Sequence, residues 1–121
     1  MKITNPIGKL GEDLASKFIL QKGYKIIERN YRPKYAEIDI IAIDPFDTTL
    51  VFFEVKARTS NSFGSPIEAI NYFKLNNLIK AAQFYSITHP KLPKTLRIDA
   101  ISVEIKNNAL VNIEHFENIT S

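Results

Sequence analysis

The spacing of apolar residues predicts a first helix over residues 7–21. Apolar side chains recur there every three or four positions, which is helical periodicity, at Leu10, Leu14, Ala15, Phe18 and Ile19. Pro6 is a favourable residue for a helix start, and Gly23 is a favourable residue just beyond a helix end. The helix is therefore expected to end shortly before Gly23.

A second helix is predicted from residue 66 to about residue 88. Ser65-Pro66-Ile67-Glu68 fits a capping box with proline at the first helical position, and this assigns Glu68 to the cap. The polar residues 59–65 before it are expected to form a loop. Several asparagines follow within the predicted helix, so we also expect a kink near Tyr72.

Five further segments are predicted to be β-strands: residues 24–31, 36–43, 50–58, 96–105 and 109–116. The first is mixed in pattern, whereas the second and third are rich in Ile, Val and Phe. Turn residues fill positions 44–49, so the second and third strands should form a hairpin. The order α-β-β-β-α-β-β predicts an α/β fold, with a mixed central sheet flanked by helices. We find no internal repeat and expect one domain over residues 1–121.

Composition narrows the functional classes. The chain has 121 residues, 45% of them hydrophobic and 24% charged, which is ordinary for a globular domain. Sixteen Lys and Arg residues against 13 Asp and Glu residues give a net charge of +3. Such a mild basic excess permits nucleic-acid binding without demonstrating it.

The residue types that are missing also exclude some chemistry. The sequence has no cysteine, so disulfides, thiolate metal sites and cysteine nucleophiles are excluded. No apolar run approaches the ~20 residues of a membrane span, and residues 1–6 lack the apolar stretch of a secretory signal. We expect a cytoplasmic protein without a membrane partner.

The predicted hairpin places acidic side chains on one surface. Successive side chains of a strand point to opposite faces, so Glu54 and Lys56 share a face of the third strand. If Ile43 pairs with Leu50, Asp39 stands opposite Glu54. Directly opposed side chains have Cβ atoms ~5 Å apart. The sequence thus predicts two facing carboxylates.

Two facing carboxylates repel each other unless they share a proton or bind a cation. An all-oxygen site suits Mg²⁺ or Mn²⁺, which takes carboxylates together with waters and phosphate oxygens. Lys56 could then orient an attacking water or stabilise charge on a phosphate. The alternative is structural: Glu54 and Lys56 could be polar residues of a solvated strand, and Glu37 could form a weak cross-strand ion pair with Lys56.

Here the sequence resembles a known family. Asp39 followed by Glu54-Val55-Lys56 resembles the core motif of the PD-(D/E)xK nuclease superfamily. The resemblance is closer to the YraN-like family of small bacterial proteins, itself similar to archaeal Holliday-junction resolvases. The segments that carry it cover most of the chain: Gly11-Glu12, Arg29-Asn30-Tyr31-Arg32, Glu37-Ile38-Asp39-Ile40-Ile41-Ala42, Phe53-Glu54-Val55-Lys56-Ala57-Arg58, Phe63-Gly64, Pro66, Glu68-Ala69-Ile70, Lys74 and Arg97-Ile98-Asp99.

The resemblance implies a restriction-endonuclease-like core and a metal-dependent endonuclease. Asp39 and Glu54 would be metal ligands, the Val55 carbonyl would be a third, and Lys56 would be the catalytic lysine. Glu12 matches the helix acid that related resolvases bring to the metal. The family usually has glycine before the Glu-Ile-Asp segment, where this chain has Ala36. That departure concerns the local backbone and leaves every acidic residue in place.

The resemblance also implies a nucleic-acid partner, with DNA, branched or damaged, as the expected substrate. A branched substrate would favour a homodimer with two-fold symmetry.

Other charged residues receive smaller roles. Arg58 and Lys74 are candidates for nucleic-acid binding through phosphate contacts, which contribute affinity rather than sequence choice. Arg97 and Asp99 lie two residues apart in a predicted strand and are expected to form a structural ion pair. His115 has no ligand partner at metal-site spacing.

Two other function classes stay open at this point: a non-catalytic nucleic-acid-binding module on the same fold, and a protein-interaction domain.

Overall fold

The computed structural model describes residues 6–59 and 70–120. The elements follow the predicted α-β-β-β-α-β-β order, which confirms the α/β class: α1 (Pro6–Gln21), β1 (Lys25–Tyr31), β2 (Ile38–Ile43), β3 (Leu50–Thr59), α2 (Tyr72–Thr88), β4 (Leu96–Lys106) and β5 (Ala109–Phe116). Neither helix of this described part is long and apolar enough to cross a lipid bilayer.

The five strands form one mixed sheet in the order β1-β2-β3-β4-β5. Neighbouring strands are antiparallel except β3 and β4, which are parallel. A parallel pair needs a long crossover connection, usually through a helix, and α2 lies within that connection. The crossover places α2 against the sheet next to β3.

Each helix covers a separate apolar core, so the central strands are buried on both faces. Ala15 and Ile19 of α1 pack in one cluster that includes Val51 and Phe53. Leu78 and Tyr85 of α2 pack in the other cluster, which includes Phe52. This double coverage explains why the first residues of β3 are apolar without alternation. Polar residues appear in this strand only from Glu54 onward.

The first helix is set close to the sheet by glycine. A Cβ at Gly11 would collide with the Cβ of Ala57 in β3, so α1 approaches the strand more closely than any other residue there would permit. The helix ends as predicted, because Gly23 adopts a φ of +92° and its amide donates to the carbonyl of Leu20 at 3.0 Å. Left-handed glycine is a common way to terminate a helix.

The predicted start of α2 is wrong. Ile70 and Asn71 are not helical, and the helix begins at Tyr72, close to the expected kink. Asn71 is extended, and its side chain accepts a hydrogen bond from the backbone N–H of Lys74 at 2.8 Å. Asparagine favours this capping role over a helix interior. The predicted capping box with Glu68 and most of the preceding loop lie outside the described residues.

The predicted β2 is also too long at its start. It begins at Ile38 rather than at residue 36, since its ladder with β1 starts where Tyr31 pairs with Ile38.

Candidate functional site

The hairpin register that carries the site prediction is confirmed. Ile43 pairs with Leu50, and the ladder continues to Ile40 opposite Phe53. One step further along β2, Asp39 bonds through its side chain, because its Oδ2 accepts the backbone N–H of Val55 at 2.7 Å. The carboxylate of Asp39 is therefore held at the end of the hairpin ladder, beside Glu54.

A cavity of about 380 Å³ lies at this end of the hairpin, between the sheet and the start of α2. Both predicted acids and both predicted lysines border it. Within the described part of the chain, its lining is Tyr35, Ala36, Glu37, Asp39, Glu54, Val55, Lys56, Lys74, Asn77 and Leu78. Asp39 and Glu54 thus border the same cavity, as the predicted hairpin pairing requires.

Glu54 is the most buried charged group of the cavity, with a side chain only 6% exposed. Its Oε1 accepts from two ammonium groups, Lys74 Nζ at 2.6 Å and Lys56 Nζ at 3.2 Å. A buried carboxylate needs such partners, because its desolvation is otherwise costly. One lysine comes from the same strand and the other from α2.

Among residues 6–59 and 70–120, Asp39 has no ammonium group as close as those beside Glu54, and its pKa is raised. Burial raises the pKa of Asp39, the negative charge of Glu54 raises it further, and the hydrogen bond from Val55 acts in the opposite direction. The result is a pKa of about 7. Close to neutral pH, Asp39 is therefore partly protonated, and a cation could replace its proton.

The two lysines respond differently to their shared environment. Burial lowers the pKa of Lys56, and the nearby Lys74 lowers it further. Burial also acts to lower the pKa of Lys74, but the hydrogen bond to Glu54 outweighs it, and the pKa is raised. Lys74 is accordingly the more firmly charged of the two, and Lys56 is the better placed to exchange a proton.

Glu12 lies apart from the cavity lining. Its Oε1 accepts from Arg29 through Nε at 3.3 Å and through a terminal nitrogen at 3.1 Å. Arg29 also binds the neighbouring Asp13 at 2.7 Å. Even so, the negative charge of Glu12 contributes to the raised pKa of Asp39. Its role as a metal ligand stays a prediction.

No group of three or more His, Cys, Asp or Glu residues in the described ranges is placed to hold a metal ion. A metal here would therefore depend on the Asp39 and Glu54 carboxylates together with oxygens of another kind. The Val55 carbonyl is the predicted third protein ligand, and waters or phosphate oxygens suit the remaining positions.

The other predicted residues occupy distinct places. Arg58 lies two residues after Lys56 on β3, and a terminal nitrogen of its guanidinium is 3.9 Å from Oε1 of Glu104 on β4. Its phosphate contact stays a prediction. Glu37 pairs with Arg32 at 3.2 Å. Ala36 does not have a positive φ, so the backbone at this position does not require glycine.

The expected ion pair of Arg97 and Asp99 is confirmed at 2.9 Å and belongs to a larger buried network. The ring of His115, which sequence reasoning left without a partner, places Nε2 at 2.7 Å from Asp99 Oδ2. Tyr24 and Asp44 join the network through Arg97. Asp99 and His115 meet only through the pairing of β4 with β5, and no local signal in the sequence announces that contact.

Two lining residues were also missed by sequence reasoning. Tyr35 is half exposed at the mouth of the cavity, and Asn77 reaches it one helical turn after Lys74. The one available signal was helical spacing, which puts Lys74 and Asn77 on the same side of α2.

The fold and the site together define a class: an α/β protein with a mixed five-stranded sheet, consistent with a nuclease-like core, whose central hairpin presents two acids and a lysine to one cavity. Sequence comparison then specifies the family. The family sequence model described as "Uncharacterised protein family UPF0102" matches residues 11–103 of the chain. The chain belongs to the UPF0102 family, which confirms the resemblance to YraN-like proteins.

Relatives of this family match nearly the whole chain. A UPF0102 protein of Persephonella marina is 43% identical over 111 residues, covering 92% of this chain and 90% of the relative. One of Desulforamulus reducens is 43% identical over 114 residues, covering 93% of each. One of Chlorobium chlorochromatii is 44% identical over 102 residues, covering 84% of this chain and 77% of the relative.

Proposed function

We propose that this protein is a metal-dependent endonuclease that hydrolyses phosphodiester bonds in nucleic acid, with DNA as the expected substrate and the cytoplasm as its location. The observation that carries the proposal is the convergence of Asp39, Glu54 and Lys56 on one cavity. The three residues that resemble the nuclease motif are thus also close together in space. Its three side chains come from two adjacent strands, which fix them relative to one another.

The donor chemistry of the cavity fits a hard divalent cation such as Mg²⁺ or Mn²⁺. Two carboxylates border a common cavity, and burial together with the negative charge of Glu54 raises the pKa of Asp39. Asp39 and Glu54 would hold the ion, with the Val55 carbonyl as the expected third ligand. When bound, such an ion would supply Lewis-acid polarisation of a phosphate and a more acidic water.

The protein's own residues would position and balance charge around the phosphate. The backbone N–H of Val55 donates a hydrogen bond to Asp39 Oδ2 at 2.7 Å and so helps to hold the carboxylate in position. Lys56 would orient the attacking water or stabilise negative charge on the phosphate. Arg58 and Lys74 would contact phosphates of the bound strand.

Cleavage assays with active-site variants test the proposal. Linear duplex, single-stranded, flap and four-way-junction DNA, and an RNA duplex, would be incubated with Mg²⁺ or Mn²⁺. We expect the wild type to cut at least one substrate, and Asp39→Asn and Glu54→Gln to be slower by about 100-fold or more. Asp47→Asn makes the same acid-to-amide change at the far end of the hairpin and should cut like the wild type.

Equal cleavage by wild type, Asp39→Asn and Glu54→Gln would indicate a contaminating nuclease and contradict the proposal.

One observation favours a second candidate function, a non-catalytic nucleic-acid-binding module: Glu54 already has two lysine partners. Nucleic-acid binding that is salt-dependent, indifferent to divalent metal and unaccompanied by cleavage would support that alternative.

A further inference from the structure

We propose that Lys74 is a built-in competitor for the metal: its ammonium occupies the place beside Glu54 that a divalent ion must take, so that metal binding displaces it. The inference rests on the proposed metal site and deepens it. It assigns Lys74 a regulatory contact with Glu54 in the metal-free protein, where sequence reasoning gave it only a phosphate contact.

The distances support this assignment. Lys74 Nζ lies 2.6 Å from Glu54 Oε1, closer than Lys56 Nζ at 3.2 Å to the same oxygen. A magnesium ligand oxygen stands ~2.0–2.1 Å from the ion. A divalent ion at that distance and an ammonium on the same oxygen would repel strongly within a few ångströms. A divalent ion and the Lys74 ammonium would therefore compete for Glu54 Oε1.

Interactions within α2 do not explain why the Lys74 ammonium lies beside Glu54. Lys74 lies in the first turn, with its backbone N–H bound to the Asn71 cap. The helix dipole disfavours positive charge at this end of a helix, and the first turn has no acidic residue to compensate. The attraction that holds the ammonium in place comes mainly from Glu54 on the sheet, with a smaller contribution from the charge of Asp39.

Lys74 also has room to leave. Its side chain is 37% exposed, against 6% for Glu54, so the ammonium can rotate toward solvent while the carboxylate stays. Its stem would remain at the cavity border. The phosphate contact predicted for Lys74 would then arise once a metal has released the ammonium, which links metal binding to substrate binding.

Metal titration of the full chain without nucleic acid tests the inference. Mn²⁺ affinity would be measured by calorimetry at pH 8 for wild type, Lys74→Gln, Lys74→Arg and Lys80→Gln. Lys80→Gln removes the same charge from an exposed position of the same helix. We expect Lys74→Gln to bind Mn²⁺ about tenfold more tightly, and Lys80→Gln and Lys74→Arg to stay within about twofold of wild type.

Affinity for Mn²⁺ that is unchanged or weaker in Lys74→Gln would overturn the inference, whether or not the wild type cleaves DNA. Tighter binding by this variant in a protein that cuts no substrate would uphold the inference and contradict the nuclease function. Absence of Mn²⁺ binding in every variant would overturn both. Lys74→Met, which keeps the aliphatic stem, repeats the charge removal if circular dichroism shows that Lys74→Gln is unfolded.

Discussion

Replacing Asp39 with asparagine should stabilise the metal-free protein, and by an amount that depends on pH. In the folded protein burial and the charge of Glu54 raise the pKa of Asp39 from 3.8 to about 7. At 1.36 kcal/mol for each tenfold change in acidity, this difference of about 3 corresponds to about 4 kcal/mol. Asparagine removes the carboxylate charge, and its side-chain oxygen can still accept the Val55 N–H.

The sign follows from proton binding. Between pH 4 and pH 7 the folded state keeps the proton of Asp39 and the unfolded state has lost it, so stability falls as pH rises through this window. Above pH 7 the full cost of the buried charge is present. We therefore expect Asp39→Asn to have nearly wild-type stability at pH 4 and to exceed the wild type by up to about 4 kcal/mol at pH 8.

Urea denaturation followed by circular dichroism, in EDTA at pH 4, 6 and 8, would measure the free energies of unfolding. Comparing variant with wild type at each pH cancels the titration of groups common to both proteins. Asp47→Asn, at the exposed hairpin loop, should change stability by less than about 1 kcal/mol at every pH. A variant at residue 39 that is less stable than wild type at pH 8, or whose gain is equal at pH 4 and pH 8, would refute the argument.

Three further outcomes are expected. Mn²⁺ binding must release the proton of Asp39, so calorimetry should show affinity falling about tenfold per pH unit below pH 7 and levelling above it; a flat profile would contradict this. Gly11→Ala should lower the free energy of unfolding by about 1–3 kcal/mol through overpacking against Ala57, and Ala57→Gly in the same chain should recover part of the loss in thermal denaturation. Asp99→Asn should cost about 3–5 kcal/mol, since it removes one of the two buried carboxylates that Arg97 contacts, the other being Asp44. Hydrogen bonds from His115 and Arg97 hold the pKa of Asp99 low against burial, so this stabilisation is present above the unfolded pKa near 4 and is lost at lower pH. The difference in urea stability should therefore shrink on acidification.

The hairpin could be predicted because its determinants are local. The apolar pairing of Ile43 with Leu50 across a short turn set the register, and the alternation of side chains carried Asp39 and Glu54 to one surface. These are near neighbours in sequence, and a one-residue slip would have exposed the buried residues of both strands.

The contacts that sequence reasoning missed are those made between distant segments. Lys74 meets Glu54 only because the parallel pairing of β3 with β4 returns the chain through α2. Glu12 meets Arg29 because α1 packs beside β1. The local sequence shows that these residues are charged but does not specify their partners. It therefore predicted a phosphate contact for Lys74 and a metal contact for Glu12, where the metal-free protein has ion pairs.

The hydrogen bond between Asp39 and Val55 has a consequence for the choice between magnesium and calcium. One oxygen of the carboxylate is engaged by the backbone amide, so chelation of an ion by both oxygens would compete with the bond that closes the hairpin. Calcium takes six to eight oxygens and often uses bidentate carboxylates, whereas magnesium keeps several waters and accepts one oxygen from each acid. The backbone of β3 would thereby bias the cavity toward the smaller, octahedral ion.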